Sequence, residues 1–255
     1  MSAGAAYAGL GALYDANRPH YPAAAVAWVA AAAAPSLAVD VGCGTGIFTR
    51  LLQAALPGAE VVGIEPSADM RRTAEAASDP VITYLAGAAE ALPFADGAAT
   101  LVTAATAAHW FDRPRFQAEA ARVLRPGGTL AILQNRRRHE ACPFLSAYEA
   151  LHERLVPGYR RGSYPDAQGG YAPVDFAAEL RADPGFDAVT EASWPFEVAM
   201  PAERFLDFSL SSSISRRAER AIGAAAYAAE VAALLPPEGG TIPMRYECRV
   251  TLARR

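Results

Sequence analysis

Asp40, Gly42, Gly44 and Gly46 occupy alternate positions in "AVDVGCGTG" (residues 38–46), and Glu65 closes "VVGIE" nineteen residues after Gly46. Three glycines this close leave the backbone bare enough for its amides to approach a ligand, and the turn feeds straight into a helix N-terminus. A carboxylate at Glu65 is suited to accept both hydroxyls of a ribose. Together these groups point to a nucleoside-bearing ligand. The spacing is not that of a dinucleotide loop, because Ile47 stands where the third glycine of G-x-G-x-x-G would fall. Asp40 is suited to accept hydrogen bonds from the loop amides and to lend negative potential toward a cationic ligand. Ribose recognition by itself fits a nicotinamide cofactor and an adenosyl sulfonium alike.

The elements that must position these groups follow from the apolar periodicity. Residues 22–34 read as a helix ended by Pro35, which cannot continue the hydrogen-bond ladder. "SLAVDVG" reads as a buried strand, and "TGIFTRLLQAAL" as a helix with apolar residues at Ile47, Phe48, Leu51, Leu52 and Leu56. "AEVVGIEP" is predicted as a second strand, "SADMRRTAEAA" as a helix capped by Ser67, and "VITYLAG" as a third strand. "ATLVTAATAAHW" gives a fourth strand, "RPRFQAEAARVL" a helix, "RPGG" a turn and "TLAILQN" a fifth strand. This alternation predicts a doubly wound, mostly parallel α/β sheet, whose ligands bind beyond the carboxyl ends of the strands. After Asn135 the regularity lapses. Residues 136–185 carry a charged run, one helix ("FLSAYEALHERLV") and a loop rich in Gly, Tyr and Pro. Strands are expected again at about 187–198 and 244–253, with helices at about 201–209 and 215–234 between them.

Composition narrows the function classes. The 255 residues carry a net charge of −4, which argues against a nucleic-acid binder. All 23 basic residues are arginine, so no Schiff-base or phosphate-loop lysine exists. Cys43, Cys142 and Cys248 form no CxxC, and His20, His109, His139 and His152 show no metal-ligand spacing. Neither a disulfide framework nor a metal is expected. Free thiols, the lack of a basic signal-peptide start and the lack of a membrane-length apolar run lead to the expectation of a cytoplasmic protein without a membrane partner. Arg136, Arg137 and Arg138 on a strand end cannot all face one way. One or two are suited to clamp a carboxylate; a solvated basic cluster or a hinge to the cover is the alternative.

"VDVGCGTG", "VVGIEPSADM", "GAAEALPF", "HWFD" and "RVLRPGG" stand in the order and at the spacing of class I S-adenosylmethionine-dependent methyltransferases. With "YDANRPHYP" near the start, the chain resembles the small-molecule group that includes trans-aconitate methyltransferases. The resemblance covers residues 7–135 strongly, and "SLSSSIS" and "MRYECRV" weakly. It implies a Rossmann-like, seven-stranded sheet with a helical substrate cover. It implies that Gly42, Gly44 and Gly46 line the methionine part of S-adenosylmethionine (product S-adenosylhomocysteine), with Asp40 opening the loop. Glu65 would hold the ribose, Pro66 and Met70 would pack beside the adenine, and Ala89 and Glu90 would cap its edge. Ala105 and Thr106 would lie near the amino-acid portion. His109, as a general base with an ordinary pKa near 6.5 or as a structural hydrogen-bonder, and Trp110, as a wall or cation–π partner, would stand where the methyl emerges. Tyr14, Arg18 and Tyr21 would fold over the cofactor mouth, Arg18 pairing the methionine carboxylate or an acidic substrate. Ala88 and Thr106 depart from the pattern, which often has a polar residue and Gln there.

The expected organisation is a single domain. It comprises an N-terminal flap and helix (1–35), a cofactor core (36–135), a cover insertion (136–185) and a completion of the sheet with cover helices (186–255). The expected activity is methyl transfer to a small acidic or secondary metabolite, by a monomer or homodimer. The alternatives are an adenosyl-binding protein of the same fold with a non-methylating or regulatory role, and a nicotinamide-dependent oxidoreductase.

Overall fold

The computed structural model describes residues 9, 11–32, 36–165 and 170–255. The first eight residues, Pro35 with the last turn expected before it, and part of the Gly/Tyr/Pro loop lie outside the described residues. The first half runs α1 (Gly11–Asn17), α2 (Ala23–Ala31), β1 (Leu37–Val41), α3 (Ile47–Ala55), β2 (Glu60–Ile64), α4 (Ala68–Ala77) and β3 (Thr83–Leu85). It continues with β4 (Ala99–Ala105), α5 (Arg113–Val123) and β5 (Leu124–Arg137). The second half holds α6 (Pro143–Leu155), a small hairpin of β6 (Tyr164–Pro165) and β7 (Tyr171–Ala172), and α7 (Phe176–Ala182). Then come β8 (Asp187–Pro201), α8 (Phe205–Leu210), α9 (Ser213–Ile222), α10 (Ala224–Ala232) and β9 (Thr241–Arg254).

Among the described residues, seven strands form one sheet in the order β3-β2-β1-β4-β5-β9-β8. The strands from β3 through β5 are parallel, and β9 runs antiparallel to both its neighbours. The mostly parallel, doubly wound sheet is as expected. Its central strands are covered on both faces, so each reads as an unbroken apolar run. Alternate residues serve opposite faces. Val39, Val41, Val62, Ile64 and Val102 join one core with Phe116 and Leu180, while Ala38, Val61 and Leu101 join another with Val26, Val29 and Leu52. Because β1 pairs with both β2 and β4, the sheet changes winding direction at β1, and the carboxyl ends of these strands open a crevice.

The later elements carry the differences. "RPGG" is a detour within β5 rather than a turn before it: Leu124 pairs with Ala99 and Thr129 with Leu101. Gly127 donates to the Arg255 carbonyl, and Arg255 donates to that of Gly128. The helix expected at 215–234 is two, broken at Gly223, whose φ of +88° no helix accommodates. A third core, separate from the sheet, packs Leu145, Tyr148 and Leu151 of α6 against Phe205, Phe208, Ala218, Tyr227 and Val231, with Met244 and Tyr246 of β9 beneath. This is the expected helical cover, and it stands on long β5, β8 and β9. No helix among the described residues is long and apolar enough to cross a membrane.

Candidate functional site

The glycine turn sits at the mouth of the crevice. Gly42, Gly44 and Gly46 have φ of +67°, +57° and +78°. A Cβ on Gly42 would meet Ala107 Cβ at 2.7 Å, and one on Gly46 would strike the Tyr84 ring and Ala74. A Cβ on Gly44 would meet nothing within 4 Å. Thus Gly42 and Gly46 are bare for packing, and Gly44 is bare toward open space. Gly42 N–H and Cys43 N–H donate to the Ile64 carbonyl, and Gly44 N–H donates to Glu65 Oε2 at 3.1 Å. Ser67 N–H donates to Glu65 Oε1 at 2.9 Å. Burial raises the Glu65 pKa, against the two amide bonds and nearby Arg71. Each oxygen of Glu65 keeps further acceptor capacity, since an ionised carboxyl offers about four lone-pair sites. A small pocket of about 70 Å3 collects Glu65, Pro66 and Met70 with Gly42, Gly44, Tyr14 and Trp110.

Asp40 does not bond the loop amides as expected. Its oxygens accept from Thr49 Oγ1 on α3 and Thr103 Oγ1 on β4, both at 2.7 Å, and the residue is fully buried. Those hydroxyls point at it because Asp40 and Thr103 are register partners, and α3 packs over that face. Burial raises its pKa to about 6; the two threonine bonds oppose the shift.

On the other side of the turn lies a larger cleft of about 210 Å3 between the sheet edge and the cover. The N-terminal segment straps across it. Gly11 N–H donates to Asp69 Oδ2, Asp15 pairs with Arg50 at 3.0 Å, and Arg18 Nη2 donates to the Ser211 carbonyl of the cover. Tyr21 OH and Thr106 Oγ1 lie 2.8 Å apart, and Thr106 adopts φ +53°. Such a conformation costs about 1–3 kcal/mol outside glycine and clusters at functional sites. Arg137 enters from β5, with Glu149 at 3.6 Å and the Tyr148 ring beneath its guanidinium. Burial works most strongly against its charge, but the Glu149 carboxylate and the Tyr148, Tyr246 and Tyr159 hydroxyls together outweigh this and raise its pKa. Tyr159, Tyr164, Tyr171 and Tyr246 complete the wall, and burial pushes their hydroxyl pKa values up, that of Tyr246 to about 12. Arg18 Nε, Thr45 Oγ1, His109 Nδ1 and Asn135 Oδ1 are buried without a hydrogen-bond partner, and all four residues line this cleft. Buried polar atoms are rarely left bare, so four around one space mark where water or a polar ligand belongs.

The expected set is therefore partly assembled. Gly42, Gly44, Glu65, Pro66, Met70, Tyr14, Arg18, Ala105, Thr106 and His109 line the two spaces, which share Tyr14, Gly42, Gly44 and Thr106. Gly46 faces Tyr84 instead. Trp110 lies on the Glu65 side, not in the cleft that His109 lines. Ala89 is buried in the sheet core, and Glu90 accepts from Asp112 N–H at 2.8 Å; neither lines either of these two spaces. His109 is not an ordinary imidazole: burial, then Arg18 and Arg113, lower its pKa to about 3. Thr45, Asn135, Tyr164, Ser212 and Tyr246 line the cleft without having been singled out. Of these, Thr45 lies in the glycine motif, and Ser212 and Tyr246 lie in "SLSSSIS" and "MRYECRV", the two segments of weak resemblance.

A methyltransferase-domain family model matches residues 39–132. An uncharacterised methyltransferase of Mycobacterium tuberculosis is 41% identical over 125 residues, 49% of this chain and 49% of its own length, so the chain spans about half the length of that relative. Trans-aconitate 2-methyltransferase of Deinococcus radiodurans is 30% identical over 190 residues, 73% of this chain and 72% of its own. In structure, a candidate type II methyltransferase from Anaeromyxobacter dehalogenans superposes with a TM-score of 0.64 and 27% identity, covering 93% of this chain and 97% of the other.

Proposed function

The chain belongs to the class I S-adenosylmethionine-dependent methyltransferases, and we propose that it acts as a single-domain enzyme forming methyl esters on a small carboxylate. One observation carries the choice of acceptor. The cleft presents two guanidinium groups, Arg18, whose Nε is bare, and Arg137, which also pairs with Glu149, while its imidazole is held neutral and weakly basic by burial. Its other titrating groups are no better as bases. Asp40 is committed to two threonines, and the Cys43 thiol and the tyrosines are pushed up by burial. When bound, S-adenosylmethionine supplies an electrophilic methyl, and a carboxylate oxygen takes it with no proton to remove, leaving the thioether and an ester.

The residues present suit that donor. Gly44 leaves room at the floor, Glu65 has acceptor capacity for two ribose hydroxyls, and Pro66 and Met70 give the nucleoside an apolar side. Arg18 and Thr45, each with a bare buried polar atom, suit the carboxylate and ammonium ends of the amino acid or the acceptor. The strap and the cover exclude water and hold acceptor and donor in line; such alignment is worth about 7–11 kcal/mol in favourable cases. The name of the Deinococcus relative makes trans-aconitate the first acceptor to try. Transfer of labelled methyl into a panel of di- and tricarboxylates, giving base-labile products, tests the proposal. Arg18→Gln is expected to lower kcat/KM by about 10- to 100-fold, the loss of a charge-assisted hydrogen bond. With the methyl donor saturating, the rate should stay flat from about pH 7 to 8.5. Labelled products stable to base, or a rate that climbs with an ionisation near neutrality, would contradict it.

Asp40 gives a second expected outcome. Its folded pKa of about 6 lies above the ordinary carboxyl value of 3.8, so the folded chain holds a proton there that the unfolded chain releases at lower pH. Stability therefore falls as pH rises from about 4 to 6, by roughly 3 kcal/mol in all. A cationic ligand favours the ionised form, and Asp40 lines the cleft. The affinity of S-adenosylmethionine relative to S-adenosylhomocysteine is expected to rise severalfold as pH passes upward through about 6. Calorimetry at pH 5 and 7.5 measures the ratio; an unchanged ratio would remove Asp40 from the electrostatics of the site.

A further inference from the structure

The cover core contains a web of hydroxyls around one imidazole. Tyr148 OH donates to Ser209 Oγ at 2.7 Å and lies 2.8 Å from Ser215 Oγ. Ser209 Oγ lies 2.7 Å from Tyr227 OH, and Ser215 Oγ lies 2.7 Å from Ser212 Oγ. His152 Nε2 stands 3.2 Å from both Tyr227 OH and Ser215 Oγ. Ser212 Oγ also donates to the Ser209 carbonyl at 3.0 Å. His152 and Ser215 are fully buried.

These groups share seven contacts in which one of them must supply the proton. The five hydroxyls bring one each, and His152 Nε2 brings at most one more. Six protons cannot serve seven contacts, so one contact is always bare and the direction of each hydroxyl depends on the rest. Where Ser215 donates to His152, Ser212 must turn its proton inward to bond Ser215. Where His152 donates to Ser215, Ser215 can donate to Ser212, whose own proton then points away from Ser215, to the Ser209 carbonyl or to a ligand. Ser212 is the member of the web that lines the cleft. A ligand there meets the web at that hydroxyl, and the Ser209 carbonyl that the hydroxyl would leave still accepts from Ser212 N–H at 3.0 Å, so turning to the ligand does not strand it. A web that only fastened α6, α8, α9 and α10 together would not need its frustrated end at the cleft. Burial, then Arg137, lower the His152 pKa to about 4, so the ring stays neutral and passes on direction rather than charge.

We propose that Ser212 binds the methyl acceptor through its hydroxyl, and that His152, acting through Ser215, is the positioning residue that sets which way that hydroxyl points. This rests on the ester-forming reading for its acceptor. The coupling itself is tested without one. Histidine-selective ¹⁵N labelling of protein saturated with S-adenosylhomocysteine gives four ring systems to assign. Ser212→Ala and Ser215→Ala are each expected to move the His152 Nε2 resonance, and saturating trans-aconitate to move it in the wild type but not in Ser212→Ala. In steady-state assays, Ser212→Ala and His152→Gln should each raise the acceptor KM about tenfold with a smaller change in kcat, and the double variant should be no worse than the worse single one. Unchanged affinity for S-adenosylhomocysteine certifies the fold; where His152→Gln fails that check, Ser215→Ala takes its place in the cycle. A His152 resonance indifferent to Ser212→Ala, or KM effects that multiply in the double variant, would overturn the proposal. Failure of the wild type to methylate any carboxylate would instead remove the ester-forming reading, and the resonance shifts on substitution would still decide whether the web is coupled.

Discussion

Glu65→Gln is expected to weaken binding of S-adenosylhomocysteine by about 100-fold or more while leaving the fold intact. The carboxylate already accepts Gly44 and Ser67 amides, and two ribose hydroxyls would take its remaining lone pairs. A glutamine offers one acceptor oxygen where four bonds converge, and its NH2 meets donors. Hydrogen bonds to a charged group are worth about 1.5–3 kcal/mol each, so losing two gives this range. The fold should tolerate the change, because burial already disfavours the charge on Glu65. Calorimetry gives the affinity and a thermal melt the stability. A variant that melts like the wild type and binds the product equally well would show that Glu65 only shapes the turn.

The second large effect separates three glycines that look alike in sequence. Gly44→Ala places a left-handed residue at φ +57°, costing about 1–2 kcal/mol, and puts a methyl into the open space of the site. It should lower the melting temperature by only a few degrees yet cut cofactor affinity by more than tenfold. Gly42→Ala adds to the same backbone cost a Cβ at 2.7 Å from Ala107 and 2.9 Å from Phe111. Overpacking of that kind costs about 1–3 kcal/mol more, so the melting temperature should fall by roughly 5–15 °C. Gly46→Ala should resemble Gly42→Ala, since its Cβ would meet Tyr84 and Ala74. Equal thermal losses across the series, or full binding by Gly44→Ala, would contradict this division.

That division also marks what was legible in the sequence. Strands buried on both faces announce themselves as apolar runs, so β1 to β5 and the place of Glu65 beside the turn followed from local pattern. The turn's glycines were legible as a set, but which of them faces ligand depends on Tyr84, Ala107 and Phe111, far along the chain. Asp40 was misjudged for the same reason: its partners Thr49 and Thr103 meet it only through helix packing and strand register. His109 was read at its ordinary pKa because nothing local reports that the cover buries it beside Arg18. Arg137 could be named within "NRRRH", but its choice over Arg136 and Arg138 needed the antiparallel pairing that sets it against Tyr246 and Glu149. Helices α1 and α7, of seven residues each, are too short to show a period. The cover's polar web left only three consecutive serines as a trace.

The most direct measurement is calorimetric titration of the folded wild-type chain with S-adenosylhomocysteine, with NAD as the comparison. One-site binding with a dissociation constant in the micromolar range or tighter, and no heat with NAD, is expected if the Gly44 floor and the Glu65 carboxylate hold an adenosyl group. No measurable affinity for either the methyl donor or its demethylated product, in protein shown to be folded by its melt, would contradict the site and every step built on it.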